Sequence, residues 1–583
     1  MGGFHLTRDD AGAPARLAAA RRRFAAHGFA EPVELAFPGW RGFHCGYIHG
    51  GPDLLLQRGP DVVAVAGTLV VDGVLGRPAL GHMLDAFDLP FTQWTRASGQ
   101  FVALVFKDGR LGIFTDYFGA FQLFHDEDLQ TITTSFLALC DSKPRLHWHT
   151  QGVYEFAFNV FPLGDDTVFE EARRLGPDVQ LELPAHGPPI RHPVSKPLPR
   201  AQPDLPLAER LERAAGALRS VMAPFARHFG NRMQCPLSGG LDSRLVLAVL
   251  RDQGVQPHVY VYGEPGDEDV DIAVAIGRAE GFPVEVFNKR AYRTITPDEF
   301  ADIVAVNFDE TDALVTDGGL FDNGGNAVAR HARQAGGQAA VSGGCGEVFR
   351  NFFYLLDRRF TAREVALSFF ARFLRSDATR RFDPAAFLRR ISEKLAQPLG
   401  VEVGRPIERS LVEQLYPRVR CRSFFGREIS LVGRHGAYAM PFLYRSVVEE
   451  GLRLPMHLKR AGRFEALLIH HIDPALARHM SAYGHDFSGP PSREHLLSEW
   501  GTMLRTPRLR QASYALHRRL GPVSDDHGGL LTPAFLGRVI DLHFPAMSHF
   551  FHPARIADSG LYRRVATLEY LAERLGSRVA DPA

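Results

Sequence analysis

Residues 237–244 combine the residue types and the position expected of a phosphate-binding loop. They read Leu-Ser-Gly-Gly-Leu-Asp-Ser-Arg and lie between a predicted strand, Arg232–Leu237, and a predicted helix, Ser243–Asp252. The glycines let a ligand approach the backbone closely, and the N-terminus of a helix favours negative charge. The Gly-Lys-Ser/Thr ending of a Walker loop is absent. The segment therefore predicts a site for nucleotide phosphates, with an ordinary turn as the alternative.

The elements around this loop predict a parallel sheet. Apolar residues at helical spacing cover Leu207–Phe229 and Asp269–Glu280, and short apolar runs at Pro257–Tyr262 and Val284–Phe287 are typical of strands. Strands that alternate with helices in this way form parallel sheets with crossover helices. We interpret the acidic residues 267–269 as a helix N-cap cluster, with contact to a metal ion as the alternative.

The loop resembles the PP-loop of ATP pyrophosphatases. In that class the loop holds the pyrophosphate of ATP and its aspartate helps to bind magnesium, while a substrate carboxylate attacks and forms an acyl-adenylate. The resemblance implies that ATP and Mg²⁺ bind here, with Asp242 as a metal ligand. The ATP-binding residues that it implies within the loop are Leu237, Ser238, Gly239, Gly240, Asp242 and Ser243.

Three further blocks are similar to the asparagine synthetase family. Residues 440–459 match its proline-rich block, Ser342–Phe349 matches a loop rich in serine and glycine, and Phe308–Glu310 matches an acidic region. The resemblance spans about residues 207–480. It implies that Glu347 supplies a carboxylate to magnesium and to catalysis. The ATP-binding residues that it implies outside the loop are Tyr262, Ser342 and Gly343.

Three positions depart from the pattern of that family, and each bears on catalysis. Gly346 replaces an acidic metal ligand, Tyr444 replaces the aspartate of the Pro-Phe-Leu-Asp block, and Glu465 replaces a late lysine. In the family this lysine stabilises charge during amide formation, a contribution usually worth orders of magnitude in rate. Only six of the 67 basic residues are lysines. We therefore expect Lys459, or an arginine such as Arg463, to supply the positive charge.

The first 183 residues are predicted to be rich in β-strands. Alternating or β-branched runs cover Val62–Val71, Gly99–Phe106 and Leu111–Thr115. An Asp-Gly pair at residues 108–109 separates the last two runs. Such a pair adopts the positive φ angles of a tight hairpin turn, so we expect these two runs to form a β-hairpin.

The same region resembles a class II glutaminase domain, which has an Ntn-hydrolase-like α+β sandwich fold. The matching segments are Gly99–Ala103, Asp116–Gly119 and Thr133–Ser135. The chain of the family begins Met-Cys-Gly and its cysteine is the nucleophile, whereas this chain has Gly2 at that position. Because glycine has no side chain that could attack glutamine, we expect a degenerate domain without glutaminase activity.

These patterns together predict an α/β protein of four parts. Residues 1–183 form the degenerate glutaminase-like domain, and residues 184–206, which contain eight prolines, form a stiff and extended linker. Residues 207–480 form the PP-loop domain with a doubly wound parallel sheet, and residues 481–583 form a helical C-terminal extension. Helical patterns dominate from about Phe360 onward, without clear strands.

The charge balance and the cysteines exclude several classes of protein. The 67 basic and 66 acidic residues give a net charge of +1, which argues against a dedicated nucleic-acid-binding protein. Five scattered cysteines fit neither a disulfide framework nor a zinc motif, and they indicate a reducing, cytoplasmic compartment. We find neither an apolar run long enough for a membrane span nor a signal-peptide pattern, so we expect no membrane association.

These observations favour an ATP-dependent ligase that adenylates a carboxylate, releases pyrophosphate and forms an amide. Relatives that lack the glutaminase cysteine, such as β-lactam synthetases and lasso-peptide macrolactam cyclases, use an amine within the substrate. We therefore expect a small-molecule or peptide carboxylate as substrate, with a precursor peptide and biosynthetic enzymes as partners. One alternative is a catalytically impaired scaffold that binds a nucleotide or a peptide, and the other is a glutamine-dependent asparagine synthetase.

Overall fold

Three β-sheets organise the part of the chain that the computed structural model describes, which is residues 2–313, 315, 319–520 and 529–581. Two antiparallel sheets of six strands each come first, and a parallel sheet of five strands follows. The predicted mixture of α and β structure is therefore confirmed. The elements of the first part are β1 (Gly3–Arg8), α1 (Ala13–Ala26), β2 (Val33–Phe37), β3 (Trp40–Cys45), β4 (Leu55–Arg58), β5 (Asp61–Val71), α2 (Arg77–Ala86), β6 (Ala97–Lys107), β7 (Arg110–Thr115), β8 (Phe124–His125), β9 (Thr131–Thr133), α3 (Phe136–Asp141), α4 (Thr150–Asn159), β10 (Arg173–Arg174), β11 (Val179–Glu182) and β12 (Ile190–Pro193).

The strand orders are β10-β8-β9-β1-β3-β2 in one antiparallel sheet and β12-β11-β7-β6-β5-β4 in the other. The predicted hairpin joins β6 and β7, with Lys107 paired to Arg110. Asp108 and Gly109 both have positive φ, 49° and 76°, which matches the right-handed twist of the strands. Strand β5 is almost entirely buried, and the middle of β6 is buried as well.

The proline-rich segment is extended, as predicted, but part of it belongs to a sheet. Ile190–Pro193 pairs antiparallel with β11, so this stretch forms a sheet edge. The Lys196 side chain is buried and donates a hydrogen bond to the carbonyl oxygen of Asp116 at 2.8 Å. The expectation of an unpaired linker is therefore wrong for residues 190–193. The first three of these residues keep the backbone N–H groups that proline lacks, so they can form an edge strand beside β11. The division of the chain into four parts stays a prediction.

The parallel sheet has the strand order β15-β14-β13-β16-β17. Every neighbouring pair in it is parallel. The order reverses between the first strand, β13, and the fourth, β16, and ligands of open α/β sheets bind at the carboxyl ends of strands beside such a reversal. Its elements are α5 (Leu207–Phe229), β13 (Met233–Pro236), α6 (Asp242–Asp252), β14 (His258–Tyr262), α7 (Glu268–Glu280), β15 (Val284–Phe287), α8 (Pro297–Glu310), α9 (Gly325–Ala332), β16 (Ala339–Val341) and β17 (Tyr438–Ala439).

Helices dominate the described remainder of the chain, as predicted, apart from the short strand β17 and several isolated bridges. The two-residue strand β17 joins the parallel sheet, and Phe360 forms an isolated bridge with Ile407. No helix in the described parts of the chain combines the length and apolar character that a membrane crossing requires. The helices are α10 (Ala362–Val365), α11 (Pro384–Ala396), α12 (Arg409–Val412), α13 (Gly426–Val432), α14 (Arg445–Arg453), α15 (Met456–Lys459), α16 (Arg463–Ile472), α17 (Pro474–Ala477), α18 (Arg493–Met503), α19 (Pro507–Leu520), α20 (Pro533–Leu536) and α21 (Ser559–Leu575).

Asp312, in the loop after α8, anchors the α/β part of the chain to the antiparallel sheets. Its carboxylate accepts hydrogen bonds from the backbone N–H groups of Phe136 at 2.7 Å and Leu137 at 2.8 Å, and from the Ser135 hydroxyl at 2.8 Å. These donors lie at the N-terminus of α3, where unpaired N–H groups favour an anion. A residue more than 170 positions away in sequence therefore caps this helix.

Buried positive charge compensates the Asp312 carboxylate. Arg434 lies at 2.9 Å and Arg427 at 3.7 Å, and His27 Nε2 lies at 3.4 Å. Burial alone would raise the pKa of Asp312, but Arg434, His27 and Arg427 together hold it well below its usual value. The carboxylate is therefore ionised in the folded protein, and both parts of the chain depend on its charge.

We predict that Asp312→Asn destabilises the protein by about 3 kcal/mol or more, because it leaves two buried arginines without their anion. The asparagine keeps the shape and tolerates the positive φ of 54° at this position. Thermal unfolding of the full chain measures the effect as a lowered midpoint. Asp302→Asn, on the exposed face of α8, is the matched control and is expected to stay within about 0.5 kcal/mol of the parent protein. Equal midpoints for the two variants would contradict this account of the interface.

Candidate functional site

The predicted phosphate loop connects β13 to α6 at the carboxyl edge of the parallel sheet. Its backbone donors already have partners within the protein: Ser238 N–H bonds Ser243 Oγ at 3.0 Å, Gly239 N–H bonds Asp269 Oδ1 at 2.8 Å, and Gly240 N–H bonds Ser238 Oγ at 3.3 Å. These bonds fix the path of the loop. A phosphate group that used the same donors would have to replace them.

The N-terminus of α6 is the part of the site that remains available to an anion. No side chain caps this helix, whose first residue is Asp242. The first-turn N–H groups of an uncapped helix attract negative charge. Gly343 packs directly against this turn, since a Cβ there would lie 2.8 Å from the Ser243 nitrogen. The structure therefore brings the two predicted segments, the loop and the Ser342–Gly343 turn, into contact.

The acidic residues 267–269 do not act as the predicted cap. Asp267 occupies the N-cap position of α7, but its carboxylate bonds the Glu264 N–H at 2.9 Å and makes no capping hydrogen bond. Asp269 instead holds the Gly239 N–H of the neighbouring loop. Asp269 can reach the loop after β13 because that loop and the start of α7 lie at the same edge of the sheet. The local sequence does not show this proximity. Their negative charge still lies in the first turn of α7, where the helix dipole favours it.

A half-buried arginine, Arg350, forms the centre of the site. It donates to both carboxylate oxygens of Asp242, at 2.6 and 2.5 Å. Its Nε lies 3.2 Å from Glu465, and its guanidinium lies 3.8 Å from Glu347. Arg350 belongs to no sequence motif, and only the fold places it among three acidic residues. The Tyr416 hydroxyl also donates a hydrogen bond to Glu347.

Burial and mutual repulsion set the protonation of these groups. Burial raises the pKa of Asp242, and burial together with the neighbouring Asp242 charge raises the pKa of Glu465 well above its usual value. Burial alone would lower the pKa of Arg350, but the surrounding carboxylates hold it well above its ordinary range. Glu465 has no exposed side-chain surface, so the shift in its pKa favours the protonated form. The cluster thus holds a fixed cation opposite Asp242.

A cavity of about 680 Å³ opens beside this cluster. Glu347, Arg350 and Lys459 line it, together with residues of α18 and α19. Gly346 explains how Asp242 reaches Arg350, since a Cβ at this glycine would overlap Asp242 Oδ1. The glycine at position 346 is therefore a structural requirement of the ion pair. A carboxylate cannot occupy position 346 while Asp242 keeps this conformation.

The two cations proposed from the sequence have different surroundings. Lys459 is buried, and its ammonium contacts Glu413 at 2.6 Å and the Val348 carbonyl oxygen at 2.8 Å. Burial lowers its pKa. Arg463, the first residue of α16, is exposed and does not line the cavity. The structure thus places Arg350, and not Arg463, next to the carboxylates.

Tyr262 and Ser342 lie at a second cavity, of about 330 Å³, over the ends of β14 and β16. The Lys289 ammonium lies 3.6 Å from the centre of the Tyr262 ring. Ser342 Oγ accepts a hydrogen bond from the Gly344 N–H at 3.1 Å. The predicted ATP-binding residues are therefore divided between the α6 N-terminus and this neighbouring cavity. Both lie along the carboxyl edge of the same sheet.

Two departures from the family pattern are buried in the core. Tyr444 is fully buried, and its hydroxyl has no hydrogen-bond partner among the described residues. Gly2 is buried beside β3, and a Cβ there would overlap the Cys45 carbonyl oxygen. The structure leaves no space for a cysteine side chain at residue 2.

Comparisons with known proteins give limited similarity. No protein-family model and no curated protein matches the chain. Among solved structures, it is similar to the allosteric regulatory enzyme of purine biosynthesis and to glutamine phosphoribosylpyrophosphate amidotransferase from B. subtilis in complex with ADP and GMP. Each match has 12% identity and covers 49% of this chain and 65% of the other, and the TM-scores are 0.24 and 0.23. The chain thus spans less than two thirds of the length of these structures.

We predict that Gly346→Ala destabilises the protein by about 1–3 kcal/mol, because its methyl group displaces Asp242 from Arg350. Gly216→Ala, at an exposed position inside α5 with open space around it, is the control. This control should stabilise the protein by about 0.5–1 kcal/mol, since alanine favours a helix over glycine. Thermal midpoints of both variants measure the effects. A Gly346→Ala protein as stable as the parent would refute the close contact.

Proposed function

We propose that the chain is an ATP-dependent ligase that activates a carboxylate as an acyl-adenylate, releases pyrophosphate and forms an amide. One observation carries the proposal: the uncapped N-terminus of α6 opens at the carboxyl edge of a parallel sheet, beside the Asp242–Arg350 pair. Such an edge is where open α/β sheets bind nucleotides, and an uncapped helix attracts phosphate. The proposed fold is a doubly wound PP-loop domain behind a degenerate glutaminase-like domain, in a cytoplasmic protein.

An exchange of partners at Arg350 would let the site accept MgATP as substrate. One terminal guanidinium nitrogen of Arg350 now contacts both Asp242 oxygens, and the same group can bind phosphate oxygens. Once Arg350 turns to the phosphates, Asp242 is free to bind the magnesium of the substrate, and Glu347 lies close enough to share it. Ser238 and Ser243 hydroxyls and the first turn of α6 then complete the phosphate contacts.

The positive charge for amide formation comes from Arg350 in this proposal. A guanidinium stabilises negative charge but does not transfer a proton at neutral pH. The substrate brings its own amine in this proposal, because Gly2 has no side chain that could release ammonia from glutamine. The adjacent cavity of about 680 Å³ is large enough for a small molecule or for the end of a peptide.

A nucleotide-binding scaffold without catalysis is the second candidate. The contact between Arg350 and Asp242 favours the scaffold, because Arg350 occupies both carboxylate oxygens that a magnesium ion would need. The internal partners of the loop N–H groups favour it as well. Glutamine-dependent asparagine synthesis is disfavoured by the packing of Gly2, which leaves no room for a cysteine.

We predict that magnesium strengthens ATP binding by about tenfold or more in the parent protein and that Asp242→Asn abolishes this gain, because the amide is a poor magnesium ligand. Isothermal titration with ATP, with and without Mg²⁺, measures both affinities. Asp252→Asn, at the other end of α6 and paired with Arg219, should keep the gain. The proposal fails if the parent protein binds no ATP, or if Asp242→Asn responds to magnesium like the parent.

Turnover separates the ligase from the scaffold. We predict that the ligase forms AMP and pyrophosphate from MgATP in the presence of a mixture of amino acids and peptides, and that Arg350→Met lowers this rate by about 100-fold or more, in line with other charge-stabilising residues. Arg358→Met, which removes an exposed arginine that pairs with Glu364, is the control. MgATP binding without AMP formation under any of these conditions would identify the scaffold instead.

A further inference from the structure

Three histidines from distant parts of the sequence meet at the boundary between the antiparallel sheets and the α/β part. His49 lies in the loop between β3 and β4, His331 lies near the end of α9, and His435 follows α13. One ring nitrogen from each lies within 4.8 Å of the other two. Among the described residues, this is the group of histidine, cysteine and acidic side chains that converges closely enough to hold a metal ion.

The rings are arranged around a common point. His49 Nε2 lies 2.9 Å from His331 Nδ1. The ring centroids of His331 and His435 are 4.4 Å apart, and those of His49 and His435 are 5.5 Å apart. Tetrahedral coordination at the usual zinc–nitrogen distance separates ligand nitrogens by about 3.4 Å. Small rotations of the rings are therefore sufficient to place all three nitrogens on one ion.

The strongest sign of an absent partner is at His435. The residue is 2% exposed, and its Nδ1 has no hydrogen-bond partner within the part of the chain that the structure describes. A buried polar atom without a partner costs free energy, so its retention calls for an explanation.

The Glu310 carboxylate contacts the His331 ring at the nitrogen that does not face His49. Its Oε1 lies 3.1 Å from His331 Nε2, so it can accept the hydrogen on that nitrogen and leave Nδ1 directed at His49. Ligating histidines in metal sites are usually oriented by a carboxylate in this way. The nearby cations are already paired: Arg330 lies 3.6 Å from Glu310 and Arg434 lies 2.9 Å from Asp312.

We propose that His49, His331 and His435 bind one divalent transition-metal ion of the zinc class, with Glu310 as the orienting carboxylate. Three imidazoles suit zinc or cobalt, whereas magnesium and calcium prefer oxygen ligands. The backbone supports the same contact, since the N–H groups of Ile48 and His49 bond the carbonyl oxygens of Arg434 and His435 at 3.0 and 2.8 Å. The ion ties the loop at residues 46–51 to the α/β part of the chain.

Cobalt titration of the untagged full-length protein, after treatment with a chelator, tests the site. We expect a single equivalent of Co²⁺ to give the intense visible spectrum of a four-coordinate site, and Zn²⁺ to displace it. His49→Gln, at a half-buried loop position, should weaken Co²⁺ binding by at least 100-fold. His471→Gln, which removes a surface histidine paired with Glu212, should bind like the parent protein.

Two further measurements keep the test decisive. Glu310→Gln should weaken binding by about 10–100-fold while it keeps the spectrum, as an orienting residue does. Zn²⁺ should raise the thermal midpoint of the parent protein and of His471→Gln but not of His49→Gln. If His49→Gln unfolds without metal, His331→Gln replaces it. The proposal is wrong if the parent protein shows no four-coordinate spectrum. It is also wrong if His49→Gln and His331→Gln both bind Co²⁺ like the parent.

Discussion

The buried charge of Asp312 is the constraint on which the arrangement of the whole chain depends. A carboxylate without exposed surface is stable only when donors and cations surround it, and here they come from both parts of the chain. The N-terminus of α3 supplies the donors, and Arg434 supplies the cation. Because each side is incomplete without the other, the antiparallel sheets and the α/β part cannot separate without exposing unpaired charge. The same contact brings the neighbouring residues Glu310 and His435 to the boundary.

A similar balance explains the unusual chemistry of the candidate site. Three acidic side chains, Asp242, Glu347 and Glu465, surround one cation, Arg350. Gly346 leaves the space in which Asp242 reaches that cation, since a Cβ there would overlap Asp242 Oδ1.

Local patterns predicted the elements well, because their causes lie within a few residues. The Asp-Gly pair at residues 108–109 specifies its own turn, and the apolar spacing of Leu207–Phe229 gives the bounds of α5. Contacts between distant segments were not predictable in this way. Arg350 is one of many arginines, and only the fold places it beside Asp242 and Glu465. The sequence does not show that Lys459 is paired with the buried Glu413. It also does not show that the proline-rich segment lies beside the edge of a sheet and forms a strand there.

The packing gives the antiparallel sheets a structural role toward the α/β part of the chain. The Gln100 side chain bonds both the N–H and the carbonyl oxygen of Met440, at 3.4 and 3.2 Å, directly after β17 of the parallel sheet. The Thr68 hydroxyl accepts the Tyr438 N–H of the same strand at 3.1 Å. These buried groups on an edge strand would face water if the antiparallel sheets were removed. The antiparallel sheets thus supply hydrogen-bond partners to the edge of the parallel sheet that carries the candidate site. This structural role does not require glutaminase chemistry.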